Sequence, residues 1–203
     1  MEALSHLRRM IASLDEALVD ALGARSRLGF DPAFYALPAD ALPGLNELAG
    51  AFADSATPAG RVRVLRPAFL LGMLPGLCAG APDNGPAPCL AADAACLDAL
   101  ARRLALSVHV ATRKREAVPE GLQAALKTRD PARIEAAITH AGVESDVLSR
   151  VRARAGEASP DPGLPDRIAQ LYADWIIPLS RKIQVHGLLA DAGGDPAPPR
   201  PRA

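Results

Sequence analysis

Leu4, Leu7, Ile11, Leu14, Leu18, Leu22 and Leu28 recur largely at steps of three and four residues. At 3.6 residues per turn this lays one apolar stripe along a helix from about residue 3 to 29. Arg25 falls inside that stripe and Arg8 lies on its edge. The same period in Leu97, Leu100, Leu104, Val108 and Ala111 predicts a second long helix from about 91 to 117. Ile168, Leu171, Trp175, Leu179 and Ile183 predict a third, from about 165 to 190, with a kink near Ile177 because Pro178 removes one backbone hydrogen bond. Between the first two the chain is broken by Pro, Gly and Ala, which predicts short helices at about 40–54 and 66–78 and an irregular segment at about 79–90. Asp130 before Pro131 is a helix-start signal for the brief segment RIEAAITH. Gly142 is expected to interrupt it before another helix reaches about Ala155, and 159–165 is expected to be a loop. Residues 1–190 form one helical domain in this reading, and the Pro-rich tail 191–203 is expected to be disordered.

Polar residues interrupt two of these helices where a structural helix would carry apolar ones. Arg103 and Lys114 lie 11 residues apart, which at about 100° per residue returns them to nearly one face with a rise of roughly 16 Å. Two long cations leaning toward each other across that gap would bracket a small dianion over Ser107 and Val110. On the last helix Ser180 and Gln184 stand at i and i+4, a hydroxyl above a carboxamide. These are hydrogen-bonding groups rather than a reactive nucleophile.

Composition narrows the reading. The 203 residues are 49% hydrophobic but only 3% aromatic, so the interior is built from Ala, Leu, Val and Ile, which suits an all-α fold and disfavours a β-sandwich. Formal charge is zero, without the basic field that nucleic-acid binding requires. No apolar run approaches the length that spans a bilayer, and charges recur too often near the N-terminus for a signal peptide. A cytoplasmic protein with neither nucleic-acid nor membrane partners is expected. Cys78, Cys89 and Cys96 form no C-x-x-C and lack a histidine at ligand spacing, so they read as small buried hydrophobes and no metal is expected.

Taken together, LDALARRLALSVHVATRK (97–114), GVESDVLSRVRA (142–153) and LYADWIIPLSRKIQVHGLL (171–189) resemble the catalytic half of the fungal and plant chorismate mutases, the larger branch of the all-helical class. LRRMIASLDEALVDALGARSRLGFDPAFY resembles the first helix of that family and its exit. The resemblance implies the rearrangement of chorismate to prephenate, in which a C–O bond breaks as a C–C bond forms, with no cofactor and in a homodimer. The tasks are to hold a compact conformer of a dicarboxylate and to stabilise charge growing on the ether oxygen. A rate gain of about 10⁶ asks roughly 8 kcal/mol of the site, and one preorganised donor supplies about 3 to 4 kcal/mol.

Carried over residue by residue, the resemblance makes Arg8 and Arg103 the arginines that grip the carboxylates, and Lys114 and Gln184 the donors to the ether oxygen. Glu144 accepts from the substrate hydroxyl, Ser180 stands where many relatives have Thr, and His140 where fungal relatives have Asn. Gln184 replaces the usual Glu; an amide always carries N–H donors, whereas a carboxyl donates only when protonated. Regulated relatives carry a Gly-Ser pair before the second long helix, where this chain has Ala87 and Pro88, so regulation by tryptophan or tyrosine is not expected.

Other readings compete. Without the resemblance, Arg103 and Lys114 would be a solvated helix face, Glu144 a first-turn acid favouring the helix dipole, and Arg8 an ordinary surface charge. Arg25 is read as half of a buried ion pair, and His6, His109 and His186 as uninvolved in chemistry. Rival functions are a lyase or mutase acting on isochorismate or 4-amino-4-deoxychorismate, and a non-catalytic regulatory homologue.

Overall fold

The computed structural model of the chain describes residues 2–36, 38, 41–78, 85–116 and 120–191. Among these there are helices and turns but no strand, as the all-α reading required. The helices are α1 (Glu2–Arg25), α2 (Leu45–Asp54), α3 (Pro58–Pro67), α4 (Leu74–Leu77), α5 (Pro86–Glu116), α6 (Glu120–Thr128), α7 (Pro131–Ile138), α8 (Ala141–Ala158), α9 (Leu164–Leu171) and α10 (Ile177–Asp191). None is long and apolar enough to cross a membrane. Of the tail expected to be disordered, residues 192–203 lie outside the described residues.

Capping chemistry sets several starts. Asp130 Oδ1 accepts from the backbone N–H groups of Ala132 (2.9 Å) and Arg133 (3.4 Å) ahead of Pro131, which is the start its sequence announces. Thr57 caps α3 in the same way, its Oγ1 accepting from Gly60 N at 3.1 Å, so the short helix expected at 66 begins at Pro58 instead. The second long helix begins at Pro86, not near 91, because Pro86 and Pro88 occupy a first turn whose N–H groups have no intrahelical acceptor. The break before α8 falls at Thr139 and His140, both extended, and Gly142 lies inside the helix it was expected to precede.

Two π turns interrupt the helical run. Ala68–Met73 joins α3 to α4, and Tyr172–Ile176 joins α9 to α10. In each, the next residue donates five back, Leu74 N to Phe69 O and Ile177 N to Tyr172 O, and a proline follows at once, Pro75 or Pro178. A proline ring clashes with the carbonyl four residues before it in a regular helix. The extra residue of a π turn relieves that clash. The kink read at Pro178 is thus realised as a π turn one step upstream.

The main core gathers Leu18, Val19 and Leu22 of α1, Phe52, Leu65 and Phe69 of the middle region, Leu97, Leu100 and Leu104 of α5, and Ile168, Leu179 and Ile183 of the last helices. A smaller cluster of Leu122, Ala125, Ile134 and Ile138 packs α6 and α7 onto Ala111, Val185 and Leu188. α1 and α5 lie against each other and are tied by two buried ion pairs. Asp15 accepts from Arg103 Nε at 2.6 Å, and ten residues along each helix Arg25 Nε donates to Asp93 Oδ1 at 2.5 Å. As one number rises the other falls, so the helices run antiparallel, and the same register sets Arg8 opposite Val110.

Arg25 is fully buried and fully engaged. Besides Asp93 it donates to the carbonyls of Leu28 (2.8 Å) and Gly29 (3.2 Å), to Cys78 Sγ (3.2 Å) and to the Tyr35 hydroxyl (3.3 Å). Tyr35 in turn donates to Asp93 Oδ2 at 2.6 Å. Burial opposes the guanidinium charge, but Asp93, Cys78 and Tyr35 outweigh it and hold the pKa of Arg25 above its ordinary value. This is the structural ion pair read from the sequence. The three cysteines are free and buried, and burial pushes the thiols of Cys78 and Cys96 up to about 11 and about 12.

Candidate active site

A cavity of about 370 Å³ opens between the N-terminal half of α1, the C-terminal half of α5, the α7–α8 junction and α10. That volume lies within the range of small-molecule pockets, roughly 300 to 1,000 Å³. Arg8, Arg103, Lys114, His140, Glu144, Ser180 and Gln184, the residues singled out in the sequence, all line it. Ser107 and Val110 form its floor between the two α5 cations, and Leu7, Ile11, Val143 and Val147 supply apolar wall. Arg8 and His140 are exposed at the rim, whereas Arg103 and Gln184 are buried.

Arg103 is 5% exposed and rigidly held. Among the described residues its one acceptor is Asp15, bonded through Nε, which leaves the two terminal nitrogens of the fork to meet an acceptor in the cavity. Asp15 also accepts from the buried Tyr172 hydroxyl at 3.2 Å, and Arg150 approaches its other oxygen at 3.7 Å. Burial first, then the charge of Asp15, keeps the Tyr172 phenol well above its ordinary pKa, so it stays a donor.

Lys114 Nζ donates to the carbonyl of Ile138 at 3.0 Å. Ile138 ends α7, so this ammonium satisfies a carbonyl left open at a helix C-terminus, where positive charge is favoured. Burial lowers the pKa of Lys114 to about 8, with the charge of Glu144 pulling the other way.

On the opposite wall, the Ser180 and Ser107 hydroxyls share a hydrogen bond of 2.8 Å, linking α10 to α5. Gln184 Nε2 donates to the Ser180 carbonyl at 3.1 Å and lies 3.4 Å from Ser180 Oγ. Its Oε1 is buried without a partner among the described residues. Both oxygens of Glu144 accept from Arg181 Nη1, at 2.9 and 3.2 Å. Arg181 and Lys182 also hold Glu135 of α7, at 3.5 and 3.2 Å. Arg181 in the cavity lining and Asp15 behind Arg103 are charged residues that the sequence did not single out. The other histidines stand apart: His109 is exposed, and His186 pairs with Asp54 at 3.0 Å.

Comparisons with known proteins bear on the fold and on part of the sequence. The sequence model of the family described as chorismate mutase type II matches residues 90–185, the stretch that carries Arg103, Lys114, Glu144 and Gln184. The chorismate mutase of Pichia angusta is 32% identical over 130 residues, 58% of this chain and 46% of that protein. That of Schizosaccharomyces pombe is 36% identical over 107 residues, 48% of this chain and 43% of that protein. The chain thus spans about half the length of the curated relatives it matches in sequence. The Aro7p chorismate mutase from Candida albicans, crystallised in complex with L-Trp, superposes with a TM-score of 0.70 at 22% identity, covering 93% of this chain and 91% of that one. For the chloroplast chorismate mutase from Zea mays the TM-score is 0.73 at 20% identity, covering 93% and 95%. The chain therefore has the fold of the all-helical chorismate mutases over most of its length and, across residues 90–185, the sequence pattern of their family.

Proposed function

We propose that this protein is a chorismate mutase and that the cavity between α1, α5, α8 and α10 is its active site. The observation that carries the reading is the meeting of seven residues from four separated segments on one cavity. A dicarboxylate entering there faces Arg103 at depth and Arg8 at the rim, and a guanidinium fork can give two parallel hydrogen bonds to each carboxylate. Fixing both carboxylates selects the folded conformer in which the reacting carbons approach, so part of the barrier is met by orientation alone.

The rearrangement moves electrons around a ring of six atoms and transfers no proton. Negative charge grows on the ether oxygen as its bond to the ring carbon breaks. The Lys114 ammonium donates to that oxygen and stabilises the transition state more than the ground state. Gln184 is the second donor: its amide carries two N–H groups, one on the Ser180 carbonyl and the other only 3.4 Å from Ser180 Oγ and able to turn to the ether oxygen. Glu144, whose two oxygens accept from Arg181, also accepts from the substrate hydroxyl. Ser180 and His140 complete the wall and rim.

Residues 1–190 act as one domain in this reading, in a cytoplasmic homodimer like that expected of the family. The test is chorismate loss with prephenate appearance, measured on wild type, Arg103→Ala and Lys114→Ala. Each substitution is expected to lower kcat/KM by at least about 10²-fold, the scale of one lost donor, with helicity preserved. Incubation with isochorismate and with 4-amino-4-deoxychorismate separates the related activities. Inertness toward all three substrates sinks the enzyme reading and leaves a binding subunit.

A further inference from the structure

The rearrangement uses Lys114 only as a hydrogen-bond donor, but its surroundings equip it for covalent chemistry. It lines the cavity together with the apolar Val110, Leu122, Ala137 and Ile138, and its Nζ donates to an uncharged backbone carbonyl. No carboxylate stands within ion-pair distance of it among the described residues: Glu144, the acid closest in effect, has both oxygens on Arg181. Arg8 of α1, Arg103 of α5, Arg181 of α10, Glu144 of α8 and His140 at the α7–α8 junction line the same cavity. A buried lysine with no carboxylate bonded to it is the arrangement that turns an ammonium into a nucleophilic amine.

We propose that Lys114 is an imine-forming residue and that this cavity takes small 2-oxo dicarboxylates, with their carboxylates on Arg103 and Arg8 and their carbonyl carbon on Lys114 Nζ. The lone pair of the neutral amine forms a C–N bond as the carbonyl π pair moves to oxygen, and the nitrogen gives up one proton as the oxygen takes one up, which yields a carbinolamine. The C–O bond then breaks as the nitrogen lone pair forms the C=N bond, and the hydroxyl leaves as water with the remaining N–H proton, which gives the imine. Nothing is oxidised or reduced, and hydrolysis reverses the step. With its pKa lowered to about 8, Lys114 holds on the order of a hundredfold more free amine near pH 7 than an ordinary lysine.

The chain has three lysines, Lys114, Lys127 and Lys182, which makes the test internal. Lys127 is exposed, and Lys182 is paired with Glu135. The full-length protein is incubated with 2-oxoglutarate and sodium cyanoborohydride, whose hydride reduces the imine to a stable secondary amine, and the adduct is mapped by peptide mass spectrometry. The expected result is labelling of Lys114 at least about tenfold above Lys127 and Lys182 near pH 7, increasing toward pH 8.5. Succinate, which has the carboxylates but no carbonyl, should suppress it, and Lys114→Arg should abolish it. No adduct, equal labelling of the three lysines, or labelling indifferent to succinate overturns the proposal in wild-type protein, whatever the variant does. The inference goes beyond the mutase reading and does not require it: 2-oxoglutarate labelling and chorismate turnover are separate readouts, and either can fail alone.

Discussion

An amide at position 184 changes the pH behaviour expected of this site. Gln184 carries N–H donors at every pH, whereas a glutamate there donates only as the neutral acid. Gln184→Glu is therefore expected to give kcat/KM for chorismate that rises as the medium becomes more acidic, with desolvation in this buried position raising the new carboxyl's pKa. The wild type should lack that dependence, and an unchanged profile in the variant would refute the role given to Gln184. The alkaline side belongs to Lys114. Its folded pKa of about 8 means the ammonium is present below that value and lost above it, so kcat/KM of the free enzyme should fall about tenfold per pH unit above about 8. Lys114→Arg, which keeps its charge, should remove this limb. Arg103, Lys114, Ser180 and Gln184 were legible in the sequence because each pair shares a helix, where spacing fixes direction. Asp15 and Arg181 were not. An acid beside Glu16 and a base beside Lys182 carry no periodic signal of burial, and only the packing of α1 on α5, and of α10 on α7 and α8, turns them toward Arg103 and Glu144.

At the scale of elements, the two π turns meet at Gly72 and Trp175. A Cβ at position 72 would stand inside contact distance of the indole carbons Cζ2 and Cη2, so the absence of a side chain there lets α9 and α10 close on the α3–α4 run. Gly72→Ala is expected to destabilise the protein by about 1 to 3 kcal/mol through overpacking. A Cβ at position 76 would meet open space, so Gly76→Ala should be neutral or stabilise by about 0.5 to 1 kcal/mol through helix propensity. Urea unfolding midpoints of the two variants give the comparison, and equal midpoints would show that Trp175 yields without cost. The three long helices were legible because their apolar periods persist over many turns. α6 was missed because its inward face is only Leu122, Ala125 and Leu126, too short a run to establish a period. The first turn of α5 was missed because its prolines read as loop breakers, though they are harmless where no N–H acceptor exists.

Across the whole molecule, two buried ion pairs fix the register of α1 against α5, and they are alike in make-up but not in position. Arg25–Asp93 stands among Tyr35, Cys78 and backbone carbonyls, and none of these residues lines the cavity. Arg103–Asp15 stands at the cavity edge, with Arg103 in its wall. Asp93→Asn removes the counter-charge of a guanidinium with no exposure, and leaving a buried charge unpaired costs about 3 to 5 kcal/mol. The expected outcome is a large fall in the denaturation midpoint, with kcat and KM for chorismate preserved in the molecules that remain folded at low temperature. Asp15→Asn should also lower the midpoint, and in addition raise KM, because the fork of Arg103 keeps only a neutral acceptor in place of the carboxylate that aims it. The discriminating measurement is kinetic rather than thermodynamic: both variants assayed well below their unfolding transitions. Equal KM values in the two would mean that the α1–α5 register, and not the individual Arg103 anchor, sets the geometry of the cavity. A raised KM in Asp15→Asn alone would separate one pair that holds the bundle together from one that also aims a substrate-facing cation.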